Sequence, residues 1–390
     1  MALCRIRLLL SPRRMSRHDF TIPVAFRHRI AFTRDAFAAE NPLVAGLLAE
    51  GGGRRALAVL EENVARVWPE LTEQIDAYLA ACGLESHGVD VLPGGEAVKA
   101  DDALVRRVWE RIEHDRIDRH SYLLAIGGGA FLDAVGFAAA TAHRGVRLLR
   151  FPTTTLAQDD SGVGVKCAIN RFGQKNWVGA FAVPFAVVND FAFLHSQDEE
   201  TRRAGLVEAV KVALVKDRTF FEWVEANAGR LAALEPAALE TCVERSALLH
   251  ARHIAEGGDP FESGSRRPLD FGHWAAHKLE TLSGHTLGHA HAVAIGVALD
   301  TRYSARSGRL PAAEAARVLA VLGALKLPLS HPALELRSPD GRRRVFDGLE
   351  EFRQHLGGRL TVLLLARIGE GTDVHEMDEG LLEEILSSKS

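Results

Sequence analysis

Residues 122–155 read YLLAIGGGAFLDAVGFAAATAHRGVRLLRFPTTT, and this stretch decides the architecture. Tyr122 to Ile126 is an unbroken apolar run, the pattern of a strand buried on both faces, and it runs straight into Gly127, Gly128 and Gly129. The Ala-rich segment Asp133 to Thr141 behind the glycines reads as a helix, and Arg147 to Phe151 is a second strand that Pro152 ends. Strand, turn, helix and strand form a βαβ unit, which implies a parallel sheet with helices on both faces. A triple glycine at such a turn lets backbone N–H groups approach a diphosphate, whose charge the helix N-terminus favours. The same glycines also suit a tight turn with no ligand. What favours a nucleotide is Pro152-Thr153-Thr154-Thr155, a second donor-rich turn at the carboxyl edge of the same sheet.

Outward from this unit the grammar repeats. Arg55 to Leu60 reads as a strand, Val64 to Cys82 as a helix, Gly88 to Leu92 as a short extended piece, Ala103 to His114 as an amphipathic helix, and Val183 to Asn189 as a last strand. After about Ser196 the apolar period becomes 3.6. Glu199 to Lys216, Thr219 to Leu234, Pro236 to Glu256, Phe271 to Leu282, Ala292 to Ser307 and Ala312 to Leu325 all read as helices. A late strand is expected at Leu360 to Ala366 and a closing helix at Met377 to Leu386. The chain of 390 residues exceeds the usual size of one core. The expected division is a basic extension over 1–20, a nucleotide-binding α/β domain over 21–195 and a helical domain over 196–390.

Composition excludes several classes. Hydrophobic residues are 47% and charged residues 25%, with Gly 35 and Pro 14, so the chain is neither collagen-like nor mostly disordered. Lys+Arg 47 against Asp+Glu 51 leaves a formal charge of -4 without a basic block in the body, so no nucleic-acid partner is expected. Cys4, Cys82, Cys167 and Cys242 form no CxxC pair, which argues against a disulfide framework or thiolate zinc site and for a reducing cytoplasm. No apolar run approaches the ~20 residues of a membrane helix. Met1 to Arg17 carries five arginines and no acid, the pattern of a transit peptide, although Met15 offers a simpler start.

Histidines carry the strongest chemical signal. His273 and His277 are at i and i+4, and His285, His289 and His291 follow closely. Neutral imidazoles at that spacing converge on a cation, and a catalytic zinc takes three protein ligands with one open position. Glu208 is the best carboxylate to complete the set, because a glutamate between Val207 and Ala209 on an apolar helical face is costly unless paired or coordinated. Clustered histidines also arise in polar cores with no metal, and spacing does not choose among His285, His289 and His291. Lys166, Lys175 and Lys211 are among few lysines in an arginine-dominated chain, in apolar or Gly-rich surroundings. Singly each reads as a surface lysine; beside the histidines they suggest phosphate contacts and, where desolvated, proton transfer.

Together these residues resemble the sugar phosphate cyclases, the superfamily of 3-dehydroquinate synthase. The core block GGGAFLDAVGFAAATAHRGVRLLRFPTTTLAQDDSGVGVKCAINRFGQKNWVGAF, residues 127–181, is similar nearly end to end. The likeness runs from about Glu61 to about Leu310. It implies a Rossmann-like α/β N-terminal domain, an all-α C-terminal domain and a cleft between them. It also implies NAD contacts at Glu61, Asn63, Glu96, Lys99, Gly128, Gly129, Asp133, Thr153, Thr154 and Lys175. The metal, Zn2+ or Co2+, falls to Glu208, His273 and His289. Asp160, Lys166, Asn176, Lys211, Arg266 and His277 face the substrate, and Arg144 reaches the phosphate across a homodimer interface. The implied reaction is redox-neutral: transient oxidation by NAD, phosphate elimination, reduction and intramolecular aldol closure.

Three departures bear on the substrate. His250 stands where dehydroquinate synthase has a lysine, Asp270 where it has an asparagine, and EFRQHLGG replaces a late lysine-bearing phosphate segment, leaving Arg353 or His355 to supply that charge. Asp270 would repel a substrate carboxylate while His250 removes a fixed cation. This reading favours sedoheptulose 7-phosphate and a valiolone-type product; Arg266, which matches a carboxylate-binding arginine, points the other way, to 3-dehydroquinate synthase. Two further readings are a glycerol-dehydrogenase-like metal alcohol dehydrogenase, which would lack the core block, and a non-catalytic homologue, which would have lost a ligand or a phosphate lysine.

Overall fold

The computed structural model describes residues 17–388 apart from 173, 262–268 and 356. Most of the basic extension, and Arg266, lie outside the described residues. The N-terminal half runs β1 (Ile30–Thr33), α1 (Pro42–Gly51), β2 (Arg55–Glu61), α2 (Glu62–Val67), α3 (Leu71–Ala81), β3 (Glu85–Leu92), α4 (Ala103–His114), β4 (Tyr122–Gly127), α5 (Gly129–Thr141) and β5 (Arg147–Pro152). An antiparallel hairpin of β6 (Lys166–Arg171) and β7 (Gln174–Phe181) precedes β8 (Ala186–Asp190). The sheet order is β1-β8-β5-β4-β2-β3, with every pairing parallel.

Alternation along β4 shows why the sheet is covered on both sides. Leu124 and Ile126 join one apolar cluster while Leu123 and Ala125 join the other. The carboxyl ends of β4 and β5 meet where Thr153 N–H donates to Gly127 O at 3.0 Å. Close packing there demands glycine: a Cβ on Gly129 would come 2.5 Å from Ser161 Oγ.

The second half is helical: α6 (Glu199–Ala204), α7 (Leu206–Lys216), α8 (Arg218–Ala232), α9 (Pro236–Glu256), α10 (His273–Leu282), α11 (His289–Arg306), α12 (Ala312–Ala324), α13 (Asp347–His355) and α14 (Glu379–Ser387). The late strand forms a hairpin, β9 (Val362–Arg367) with β10 (Glu370–Val374). All these elements surround one apolar core that includes most of α7. The fold is an α/β parallel-sheet domain followed by a helical domain, as the two periodicities predict.

The differences have local causes. The helix expected over Val64 to Cys82 is two helices, because Pro69 holds Trp68 out of the helical region at φ -123° and ψ 73°. Glu199 to Lys216 is interrupted at Gly205, where a Cβ would approach Leu156 N to 2.6 Å. Four-residue β1 is too short to announce itself, α1 and the β6–β7 hairpin carry little periodicity, and α13 is a short amphipathic helix that was not expected.

Helices α10 and α11 cross backbone against backbone. Gly272 has φ +81°, and a Cβ on Gly296 would lie 2.0 Å from Gly272 O. Gly296→Ala should therefore destabilise the protein by about 1–3 kcal/mol or more in denaturant unfolding. Gly46→Ala, in α1 with nothing within 4 Å of the new methyl, should stabilise by about 0.5–1 kcal/mol.

Candidate active site

Helix α7 is apolar around its whole circumference, yet it carries Glu208 and Lys211, 1% and 2% exposed. Their i,i+3 spacing places them on one face, where the Lys211 ammonium contacts Glu208 Oε2 as an ion pair. Neither Glu208 oxygen receives a well-aligned hydrogen bond. Burial raises the Glu208 pKa, and the Lys211 charge only partly opposes it. A buried carboxylate so placed suits a cation, and His273 and His289 each bring a ring nitrogen so that all three ligand atoms lie within 4.8 Å of one another.

Each imidazole is oriented from behind. His273 Nδ1 donates to Phe271 O at 3.2 Å, leaving Nε2 as the basic nitrogen. Burial, reinforced by the Lys211 charge, holds the His273 pKa well below normal, so the ring is neutral at pH 7. His289 Nδ1 lies 2.8 Å from Glu280 Oε1. Burial would lower the His289 pKa, but Glu280 more than offsets it and the net shift is upward. Burial likewise opposes ionisation of Glu280, yet His289 and Lys175 bring its pKa down to about 2. Of the three histidines that spacing left open, His289 is the one in the cluster. His285 is exposed, and His291 Nε2 is 3.9 Å from Glu200 on another face. His277 is exposed but stays beside the cluster, with ring centroids 5.5 Å from His273 and 6.1 Å from His289.

Asp160 lies in the helical turn that follows β5 and Thr154. His250 Nδ1, from α9, is 2.9 Å from its Oδ1. Burial would raise the Asp160 pKa; Lys211 and His250 outweigh it and hold the carboxyl far below normal. The Asp160 charge acts on Lys211 in turn. Burial pulls its pKa down, Asp160 and Glu208 push harder, and the net shift is upward. The carboxylates around Lys211 thus favour its protonated form.

At the sheet edge, Glu61 ties three turns together. Its Oε2 accepts from Gly128 N at 2.7 Å, and its Oε1 accepts from Gly95 N at 3.2 Å and Asn63 Nδ2 at 3.4 Å. Gly128 N–H is thus engaged by the Glu61 carboxylate. Thr154 Oγ1 accepts from Ala157 N at 3.1 Å, capping the turn that carries Asp160. Lys99 Nζ donates to Asp133 Oδ2 at 2.5 Å and to Asn176 Oδ1. Lys175 Nζ pairs with Glu280 and lies 3.5 Å from Glu96, linking the expected NAD edge to the histidine cluster. Lys166 opens β6 with an exposed side chain, and Arg144 is exposed at the tip of a turn whose residues 143–145 all have positive φ. Arg353 is engaged by both oxygens of Glu350 and by Gly358 O.

Sequence reasoning missed four supporting residues. Glu280 was legible as an acid at i+7 from His273 and i-9 from His289. Arg150, 1% exposed, donates to Gly162, Gly164 and Lys166 carbonyls at 3.3, 2.7 and 3.2 Å, shaping the turn before β6; its signal was a charge inside an apolar strand. His28 Nε2 lies 2.8 Å from Val163 O. Asp159 is buried with neither oxygen hydrogen-bonded, and burial plus the Glu208 and Asp160 charges push its pKa well above normal.

Two family profiles match the chain, 3-dehydroquinate synthase N-terminal over residues 89–204 and 3-dehydroquinate synthase C-terminal over residues 205–340. A 3-dehydroquinate synthase of Neisseria meningitidis is 35% identical over 346 residues, covering 88% of this chain and 93% of that protein. One from Azotobacter vinelandii is 37% identical over 337 residues, covering 86% and 88%. Among solved structures, 2-epi-5-epi-valiolone synthase from Streptomyces hygroscopicus, with NAD+ and Zn2+ bound, superposes with TM-score 0.83 at 28% identity, covering 95% of this chain and 98% of that one.

The expected preference for sedoheptulose 7-phosphate is overturned by these relatives, since the 3-dehydroquinate synthases are the more similar in sequence. The charge argument behind it fails physically as well. It weighed the Asp270 carboxylate against Arg266, whereas Asp270 also acts on the Lys211 ammonium and helps raise its pKa. His250, counted there as a lost cation, is placed on Asp160. With profiles over both halves and relatives above one-third identity across most of its length, the chain belongs to the 3-dehydroquinate synthase family of sugar phosphate cyclases.

Proposed function

We propose that this protein is a 3-dehydroquinate synthase, an NAD- and divalent-metal-dependent enzyme acting on the seven-carbon ketose phosphate that bears a C1 carboxylate. The observation that carries the reading is the convergence of Glu208, His273 and His289 beside the Lys211 ammonium, in a chain this similar to such enzymes. Bound NAD would supply a reversible hydride acceptor, and a bound Zn2+ or Co2+ would polarise a substrate oxygen. Glu61, Asn63, Glu96, Lys99, Gly128, Gly129, Asp133, Thr153, Thr154 and Lys175 are assigned to the dinucleotide. Lys166, Asn176 and His277 are assigned to the phosphate, and Arg266 to the carboxylate. Lys211 pairs with Glu208 and lowers the Asp160 pKa, and the His250–Asp160 contact gives the site an imidazole for proton transfer. The exposed Arg144 turn supports a homodimer in which it serves the neighbour's phosphate. The domain break is assigned to residues 195/196. Among the described residues no helix is long and apolar enough to cross a membrane, and Cys82, Cys167 and Cys242 are free thiols, which fits a cytoplasmic enzyme.

With NAD and Zn2+, the purified protein should release inorganic phosphate from the heptulosonate 7-phosphate in step with 3-dehydroquinate, followed by NMR of the product. Phosphate release from sedoheptulose 7-phosphate alone would overturn the reading. Glu208→Ala and His289→Ala should each lose bound zinc on elemental analysis; normal occupancy in either variant refutes the ligand assignment.

The Glu280–His289 pair sets a pH window. Glu280, lowered from 4.5, contributes stability that is complete above pH 4.5 and is lost as pH falls towards 2. His289, raised from 6.5, contributes stability that is complete below pH 6.5 and is lost as pH rises through its folded value. In metal-free protein, Glu280→Gln should make His289 titrate at lower pH than in wild type by NMR, should lower stability across pH 4.5–6.5, and should flatten the losses on either side of that window.

A further inference from the structure

Asp300 lies on α11, eleven residues beyond His289, with no exposed surface. Its two oxygens grip the residues on either side of His273. Oδ2 accepts from Gly272 N at 3.1 Å, and Oδ1 accepts from Trp274 Nε1 at 2.9 Å. The Gly272 N–H belongs to the same peptide as the Phe271 carbonyl, and that carbonyl accepts from His273 Nδ1 at 3.2 Å. A carboxylate, a peptide and an imidazole therefore stand in series. Because the peptide is planar, holding its N–H fixes the direction of its C=O. Polarisation runs the same way: a carboxylate on the N–H makes the carbonyl a better acceptor for Nδ1–H, and so makes Nε2 a better donor.

We propose that Asp300 is a positioning residue of the metal site, acting through the 271–272 peptide to set the tautomer, direction and basicity of His273. The bland alternative is a buried carboxylate that merely joins two helices. It is a poor device for that purpose, since both of its donors are neutral and an apolar pair of similar volume would be less costly to bury. The backbone is already clamped at this point by the glycine crossing, where a Cβ on Gly272 would lie 2.5 Å from Val297 N. The carboxylate adds what a steric contact lacks, a polarised hydrogen bond aimed at a ligand. The inference rests on Glu208, His273 and His289 holding a divalent cation.

The test compares Asp300→Asn with Trp274→Phe at pH 8, above the value of about 7 to which burial lifts the Asp300 carboxyl. Each variant disturbs a buried hydrogen bond of the carboxylate, but only Asp300→Asn disturbs the one to Gly272. Co2+ affinity is measured by chelator competition, the Co2+ visible spectrum reports ligand geometry, and melting temperature and NAD affinity serve as controls. Asp300→Asn is expected to weaken Co2+ binding by about 10–100-fold and to alter the spectrum, as loss of an outer-shell partner does. Trp274→Phe should stay within about threefold of wild type with an unchanged spectrum. Equal Co2+ affinity in Asp300→Asn and wild type overturns the proposal, as does weakening in both variants that simply follows their loss of melting temperature. Failure of wild type to bind Co2+ would overturn the metal reading itself, and this inference with it. Should Asp300→Asn not fold, the wild type carries the test: Zn2+ loading should move the Gly272 amide proton downfield by NMR, and a resonance that stays in place overturns the relay.

Discussion

A buried carboxylate in the first turn of a helix packed on every side is the constraint on which this structure turns. Glu208 sits in α7 among residues that are all buried, where an isolated ionised group would be prohibitively costly. The protein meets that cost with charge and with geometry. Lys211, one turn along, supplies the opposing charge, against Asp160, which comes from the turn after β5 and adds to the cost, and the two imidazoles come from α10 and α11. Because these groups belong to separate elements, keeping them together fixes how the sheet's carboxyl edge meets the helical layer.

The positions of the imidazoles follow from backbone contact more than from side-chain packing. Gly272 and Gly296 let α10 and α11 approach until no methyl fits between them, so the two ligand-bearing helices have little freedom to slide. Behind the rings, Phe271 O and Glu280 choose which nitrogen faces inward. Glu280 also pairs with Lys175 on β7, so the orientation of His289 is coupled to the hairpin beside the nucleotide edge.

The fold was legible where periodicity was long. β4, the glycine turn and α5 could hardly be read otherwise, and α9 has the limits its apolar spacing predicts. Short elements escaped because four residues such as Ile30–Thr33 carry too little pattern, and because Lys166 to Phe181 mixes glycine and polar residues in a hairpin with one exposed strand. Pro69 was a readable break; the long apolar period around it outweighed the signal.

The site was legible in composition but not in partnership. Helical spacing put His273 and His277 on one face and marked Glu208 as an expensive residue, yet it gave no means of preferring His289 over its neighbours, since that depends on how a loop turns between α10 and α11. The same limit explains the error over the substrate. A charge at Asp270 or His250 has a sign in the sequence but an effect only in a field, and the field here comes from Lys211 and Asp160, distant in the chain and adjacent in space. Lys211 shows the point from the other side. Burial alone would lower its pKa, but Asp160 and Glu208 packed beside it reverse the direction. Identifying a residue type therefore constrains what chemistry is available, while the direction of that chemistry is set by neighbours that only the fold supplies.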